Sequence, residues 1–213
     1  MKPLTCPVDM YTPSSVPAKP STRIPSSLPP LFTYSDAVSA GLSAERLYRY
    51  RDEGHLEQVG RGLYRRADAR PADHNLLEVA HRVPDGTLCL ITALARHGLT
   101  DVIPDRVDVA IPRGTRIPAL QSPAQFHVFA KDTFAIGRGA IRIEDGLTIG
   151  LYSAERSLID VVRLRHREGA DIAWEALRRW LRRKGARPAA LLEMARSFHG
   201  AESAVRHALE VVL

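Results

Sequence analysis

Cysteine is almost absent: the 213 residues contain two, Cys6 in a polar stretch and Cys89 inside the apolar run Thr87 to Ile91. Two thiols so placed argue against a disulfide framework and against a thiolate metal site, and they fit a reducing cytoplasm. Lysine is scarce too, confined to Lys2, Lys19, Lys131 and Lys184, so 26 of the 30 basic residues are arginine. A GC-rich genome explains that bias more simply than recognition does. No stretch approaches the roughly 18 uninterrupted apolar residues of a membrane span, and the opening MKPLTCPVDM lacks the apolar h-region of an export signal. A soluble, unexported chain is expected.

The motifs of common enzymes are missing as well. There is no G-x-x-x-x-G-K-[ST], G-x-S-x-G or H-E-x-x-H, and the glycines of Gly137-Arg138-Gly139 are followed by Ala140, Ile141 and Arg142 rather than by a third phosphate-cradling glycine. Eight histidines are scattered without paired ligand spacing. His97, before Gly98, reads as a helix-end residue bonded to carbonyls. Glu144-Asp145 precedes a glycine and reads as a hairpin turn, and Asp160, inside an apolar helix, is expected to pair with Arg156 one turn earlier. No enzyme and no cofactor are expected. A nucleic-acid enzyme would have to rest on Asp160, Glu144 and Asp145 alone.

What is present is a core-forming composition, 45% hydrophobic, with a formal net charge of +6 and a pI near 9.7, compatible with a nucleic-acid partner. Residues 1–30 hold eight of the fifteen prolines together with many Ser and Thr, so they are expected to be a disordered arm, in which a minor-groove or partner-binding role would use Lys19 and Arg23. A break at 67–72 separates residues 31–67 from a second domain, 72–213. In that domain a helix from Asp73 carries Leu76, Leu77, Ala80 and Val83. A buried strand Thr87 to Ile91 and a short helix Ala93 to His97 follow. Strands are expected at Arg106 to Ile111, Gln125 to Ala130, Ala140 to Ile143 and Leu147 to Leu151, and helices near 154–167, 170–184, 188–198 and 201–212. The fold class is therefore α+β, a winged helix-turn-helix followed by a mixed α/β domain with a helical C-terminal end.

Residues 35–66 carry the winged-helix reading. Gly41 supplies a tight turn, and Ser43 caps the next helix with Glu45 near its positive end. Leu47 and Tyr50 share one face, Glu45 and Arg49 lie opposite with Arg46 flanking them, and the stem of Arg51 turns toward the apolar side. Leu56 and Val59 then lead to Gly60-Arg61-Gly62 and on to Leu63 and Tyr64, a two-stranded ribbon with Arg61 at its tip. Six arginines stand against four acids over residues 43–66. Placement is the stronger signal: Arg46, Arg49 and Arg61 would project to DNA, Glu45 would tune base preference, and Arg65 and Arg66 would touch the phosphate backbone. A second basic face is expected further on, because residues 163–187 hold nine cations against three acids. There Trp174, Leu177 and Leu181 form an apolar stripe and Arg178, Arg179, Arg182 and Arg183 fill much of the remaining surface.

These segments, with His97-Gly98-Leu99-Thr100, Ile103-Pro104, Val109 through Gly114 and Tyr152 through Asp160, resemble the AbiEi-type antitoxins of type IV toxin-antitoxin systems over about residues 31–213. The resemblance implies an N-terminal winged helix that represses its own operon by binding double-stranded promoter DNA, and a C-terminal domain that counters a neighbouring nucleotidyltransferase toxin. It also implies a further helix ahead of the turn, where this chain has the proline-rich segment Ser21 to Pro30, which cannot be helical. A protein-interaction antitoxin or solitary regulator with a truncated winged helix that does not bind DNA is the alternative.

Overall fold

The computed structural model describes residues 24–70 and 72–212; the expected arm up to Arg23, with Lys19 and Cys6, lies outside the described residues. A three-stranded antiparallel sheet comes first. It is built from β1 (Leu31–Thr33), β2 (Leu56–Gly60) and β3 (Leu63–Arg66), ordered β1-β3-β2, with helices α1 (Tyr34–Ser39) and α2 (Ala44–Asp52) between β1 and β2. Alternation sends Phe32, Leu56 and Tyr64 to the side where Ala37, Leu42, Leu47 and Tyr50 wait, and these residues form one buried cluster. Residues 24–30, where the resemblance implies a helix, form turns and bends.

Next come α3 (His74–Arg82), β4 (Thr87–Leu88), α4 (Leu90–Arg96), β5 (Val107–Pro112), β6 (Ala124–Phe129), α5 (Lys131–Phe134), β7 (Arg138–Glu144) and β8 (Leu147–Tyr152). Their sheet runs β6-β5-β4-β8-β7, parallel at β5/β6 and β4/β8 and antiparallel at β4/β5 and β7/β8. The chain ends in α6 (Ala154–Arg163), α7 (Arg165–Glu168), α8 (Ala170–Leu181), α9 (Pro188–Ala195) and α10 (Ala201–Val212). α6 packs against α4, α8, α9 and α10. From Arg156 to Val162 it is buried on every side, as the central helix of a bundle must be.

Val59, Leu63 and Leu77 form a small buried cluster joining the first sheet to α3. Beside it Glu78 accepts hydrogen bonds from the backbone N–H groups of Gln121 (3.1 Å) and Ser122 (2.7 Å). Its carboxylate lies so close to Gly60 that a Cβ there would stand 2.5 Å from Oε1, which fixes glycine at that point of β2.

Four sequence expectations about these elements need correction. The strand expected over Thr87 to Ile91 stops at Leu88, and the run turns helical at Leu90, which takes a positive φ of 45° directly after the cap at Cys89. An unbroken apolar run suits a buried strand and a buried helix equally, so its periodicity could not place the switch. The helix expected over 154–167 breaks at Leu164, and the one over 170–184 stops at Leu181. The inward face of α8 consists of Ala173, Ala176, Leu177 and Trp180, while Trp174 and Leu181 are only half-buried. Trp180 is drawn inward because its indole N–H finds Glu155 Oε1 at 3.2 Å.

Candidate nucleic-acid interface

Short-range chemistry sets the geometry of the first unit. Thr33 and Asp36 close a capping box at the start of α1: the Thr33 backbone N–H donates to Asp36 Oδ2 (2.8 Å), and the Asp36 N–H donates to Thr33 Oγ1 (3.2 Å). The Thr33 backbone N–H and the Thr33 hydroxyl, which donates to Asp36 Oδ2 at 2.7 Å, hold the Asp36 carboxyl below the usual aspartate range. Gly41, at φ +81°, turns the chain so that the Leu42 N–H reaches the Ala37 carbonyl at 2.9 Å. Ser43 Oγ then accepts from the Arg46 N–H (3.3 Å) and starts α2.

On α2 the buried residues are Leu47 and Tyr50, as expected. Arg46 is half-buried and its Nη2 donates to the Tyr50 hydroxyl at 3.1 Å. Arg49 is exposed, 5.8 Å from the Tyr50 ring centroid, with Glu53 3.9 Å from its Nε. Glu45 is exposed. Arg61 is exposed in the two-residue connection between β2 and β3, where Gly62 takes a φ of +65°. Its backbone carbonyl is held by the Arg82 guanidinium from α3, which fastens the hairpin tip while leaving the Arg61 side chain outside.

The remaining expectations divide. Arg66 keeps part of its surface but is forked onto Asp68, Nε to Oδ1 at 3.0 Å and Nη2 to Oδ2 at 3.0 Å. Arg65 must be corrected: it is 2% exposed, turned away from solvent toward Glu144 Oε1 (Nη2, 3.1 Å) and the Arg70 carbonyl, so it is not placed to touch a phosphate. Strand alternation is the cause, because neighbouring residues on β3 point to opposite faces and only one of two adjacent arginines can face out. Arg51 is a correction too. It lies over the exposed Tyr48 ring, 5.1 Å from the centroid, and pairs with Asp52 at 2.8 Å instead of packing inward.

Arg178 on α8 and Arg182 just past its end are exposed, whereas Arg179 is ion-paired with Asp101 and Glu175 and Arg183 donates to the His97 carbonyl. Two of the four expected arginines are thus engaged, one of them by opposite charge. His97 caps α4, and its Nε2 meets the Tyr152 carbonyl at 2.7 Å. Glu144 and Asp145 sit at the β7–β8 hairpin.

Two buried polar centres carried no sequence signal of their full extent. Arg156 pairs with Asp160 at 2.7 Å as expected. It also donates from Nη1 to the carbonyls of Thr133 and Ile136, both at 2.8 Å, and its guanidinium lies between the rings of Tyr152 (4.2 Å) and Phe198 (4.3 Å). Burial raises the Asp160 carboxyl above the usual aspartate range, against the pull of Arg156 and Arg163. The second centre joins neighbouring strands: His127 Nε2 lies 3.0 Å from Asp108 Oδ1, and Asp108 Oδ2 accepts from the Thr92 N–H and hydroxyl, each at 3.3 Å. Cys89 is buried, and burial pushes its thiol well above the ordinary range, which removes thiolate chemistry at neutral pH.

No helix of the described residues is long and apolar enough to cross a membrane. No curated protein matches the chain. Among solved structures, the RV2827C protein from Mycobacterium tuberculosis is similar at 18% identity with a TM-score of 0.48, covering 85% of this chain and 76% of that one. Residues 26–67 match the AbiEi_4 family model, described as "Transcriptional regulator, AbiEi antitoxin". The matched segment contains α1, α2 and the arginine-tipped hairpin.

Proposed function

We propose that residues 31–67 form a reduced winged helix-turn-helix that binds the chain's own promoter, and that residues 72–213 form an antitoxin domain that counters a nucleotidyltransferase toxin in the cytoplasm. The observation carrying this reading is the exposed Arg49 on a capped helix together with the exposed Arg61 at the tip of a tightly held two-residue hairpin, within the segment that matches the family model. α2 would enter the major groove and the hairpin would approach the neighbouring backbone or minor groove. Fluorescence anisotropy with the upstream DNA tests it. Arg49→Ala should weaken binding by about 1–3 kcal/mol, and affinity should fall steeply with salt as phosphate counterions are released. Unchanged affinity in an Arg46/Arg49/Arg61 triple alanine variant would reject the assignment.

A second reading has its own support. No helix precedes β1 in residues 24–30, and Arg65 faces inward, which leaves a smaller basic surface than the sequence promised. A module that neutralises the toxin without binding DNA is then the outcome if salt-dependent affinity is absent while the toxin is still countered.

A further inference from the structure

A cavity of about 800 Å³ opens between β6 and α5, the C-terminal part of α6 with α7, and the turn joining α9 to α10. It lies in none of the elements assigned to DNA. Two features of its wall point to a ligand class. One is uncompensated positive charge: Arg113 and Arg167 are exposed on the lining and have no ion pair among the described residues. Of the lining acids, Asp160 is consumed by Arg156 and Arg163, which leaves Asp132 alone. The other is aromatic surface: Phe129, on the face of β6 that looks toward Leu164, is half-buried where it lines the recess and keeps part of its ring open to an occupant. The back is rigid, since Phe198 is 4% exposed and stacks on the anchored Arg156 guanidinium.

Separated cations and an apolar ring fit a molecule with an anionic end and a flat hydrophobic end. Free phosphate would satisfy the arginines but leave most of this volume and the ring unused. An acidic peptide would gain nothing specific from a ring face. The volume falls in the range of about 300–1,000 Å³ typical of small-molecule sites. We propose that this cavity binds a nucleoside phosphate, its base on the Phe129 side and its phosphate between Arg113 and Arg167.

Isothermal titration calorimetry of the full chain with adenosine monophosphate, cytidine monophosphate, adenosine and sodium phosphate tests the assignment. At least one monophosphate should saturate the protein below about 1 mM, with its nucleoside and inorganic phosphate each weaker by about tenfold or more. Arg113→Gln with Arg167→Gln should lose at least about tenfold in affinity for the monophosphate while circular dichroism and the thermal midpoint stay as in the parent chain, both side chains being exposed. Phe129→Leu should weaken the monophosphate and leave phosphate binding unchanged. No saturation by either monophosphate overturns the proposal, as do an undiminished affinity in the double arginine variant and a phosphate that binds as tightly as the nucleotides. An RNA trinucleotide binding about tenfold more tightly than the mononucleotide also overturns it, by making the occupant a strand end.

Discussion

At the scale of single residues, buried charge is the costly choice, and Arg156 shows what makes it tolerable. The 1% exposed guanidinium is answered by the Asp160 carboxylate, two backbone carbonyls and two ring faces, so little of its desolvation is left uncompensated. Arg156→Met is expected to cost about 3–5 kcal/mol, measured by urea unfolding, because it strands Asp160 in the core. Arg156→Met combined with Asp160→Leu should recover a large part of that loss. A single-variant cost under about 1 kcal/mol would show that the pair contributes little. Gly137 is bound to the same knot. It sits at φ +70°, its carbonyl accepts from the Ser153 N–H at 2.7 Å, and a Cβ would stand 2.7 Å from the Arg156 Cβ. Gly137→Ala should therefore destabilise by about 1–3 kcal/mol in the same assay, through both strain and crowding.

At the scale of elements, the ends are set by local chemistry and the interiors by what packs on them. The Thr33–Asp36 capping box makes the start of α1 sensitive to acid. Because the folded carboxyl sits below its ordinary value of 3.8, the stability it contributes is full above that value and is lost as pH falls through the depressed one. Asp36→Asn should flatten the acid limb of the stability curve, and Thr33→Ala should cost about 0.5–2 kcal/mol at neutral pH. An acid limb identical in the parent and Asp36→Asn chains would refute the assignment. Much at this scale could be read in advance: the Gly41 turn, the Ser43 cap, the hairpin around Arg61 and Gly62, and the turn at Glu144 and Asp145 are all written in residues that do one conformational job well. The switch at Leu90 could not be read, since an apolar run satisfies a sheet and a helix bundle alike and only the neighbours already in place, β5 and β8 on one side and α6 on the other, decide where the strand ends.

At the scale of the whole molecule, Arg65 fastens the first sheet to the second. Its 3% exposed side chain bridges β3 to Glu144, 10% exposed on β7, and donates from Nη1 to Glu57 Oε2 at 3.5 Å. Removing one partner leaves a buried charge, so Arg65→Leu should destabilise by about 3 kcal/mol or more, with Glu144→Leu in the same chain restoring part of it. The pairing also separates two effects on DNA. Arg65→Leu should lower promoter affinity only in proportion to its loss of stability, whereas Arg49→Ala should lower affinity with the thermal midpoint unchanged. A normal midpoint with lost affinity for Arg65→Leu would return that residue to the DNA surface.

Capped helices, glycine turns and an i to i+4 ion pair between Arg156 and Asp160 act within a few residues, so the sequence determined the two short helices, the arginine-tipped hairpin and that pair unaided. Which of two adjacent arginines faces out, that Arg179 and Arg183 are engaged by Asp101 and a distant carbonyl, and that Arg113 and Arg167 share a cavity with Phe129 depend on segments many residues apart meeting in space. Only the tertiary structure decided these, because burial and charge compensation belong to the surroundings a side chain is given and not to the residue that bears it.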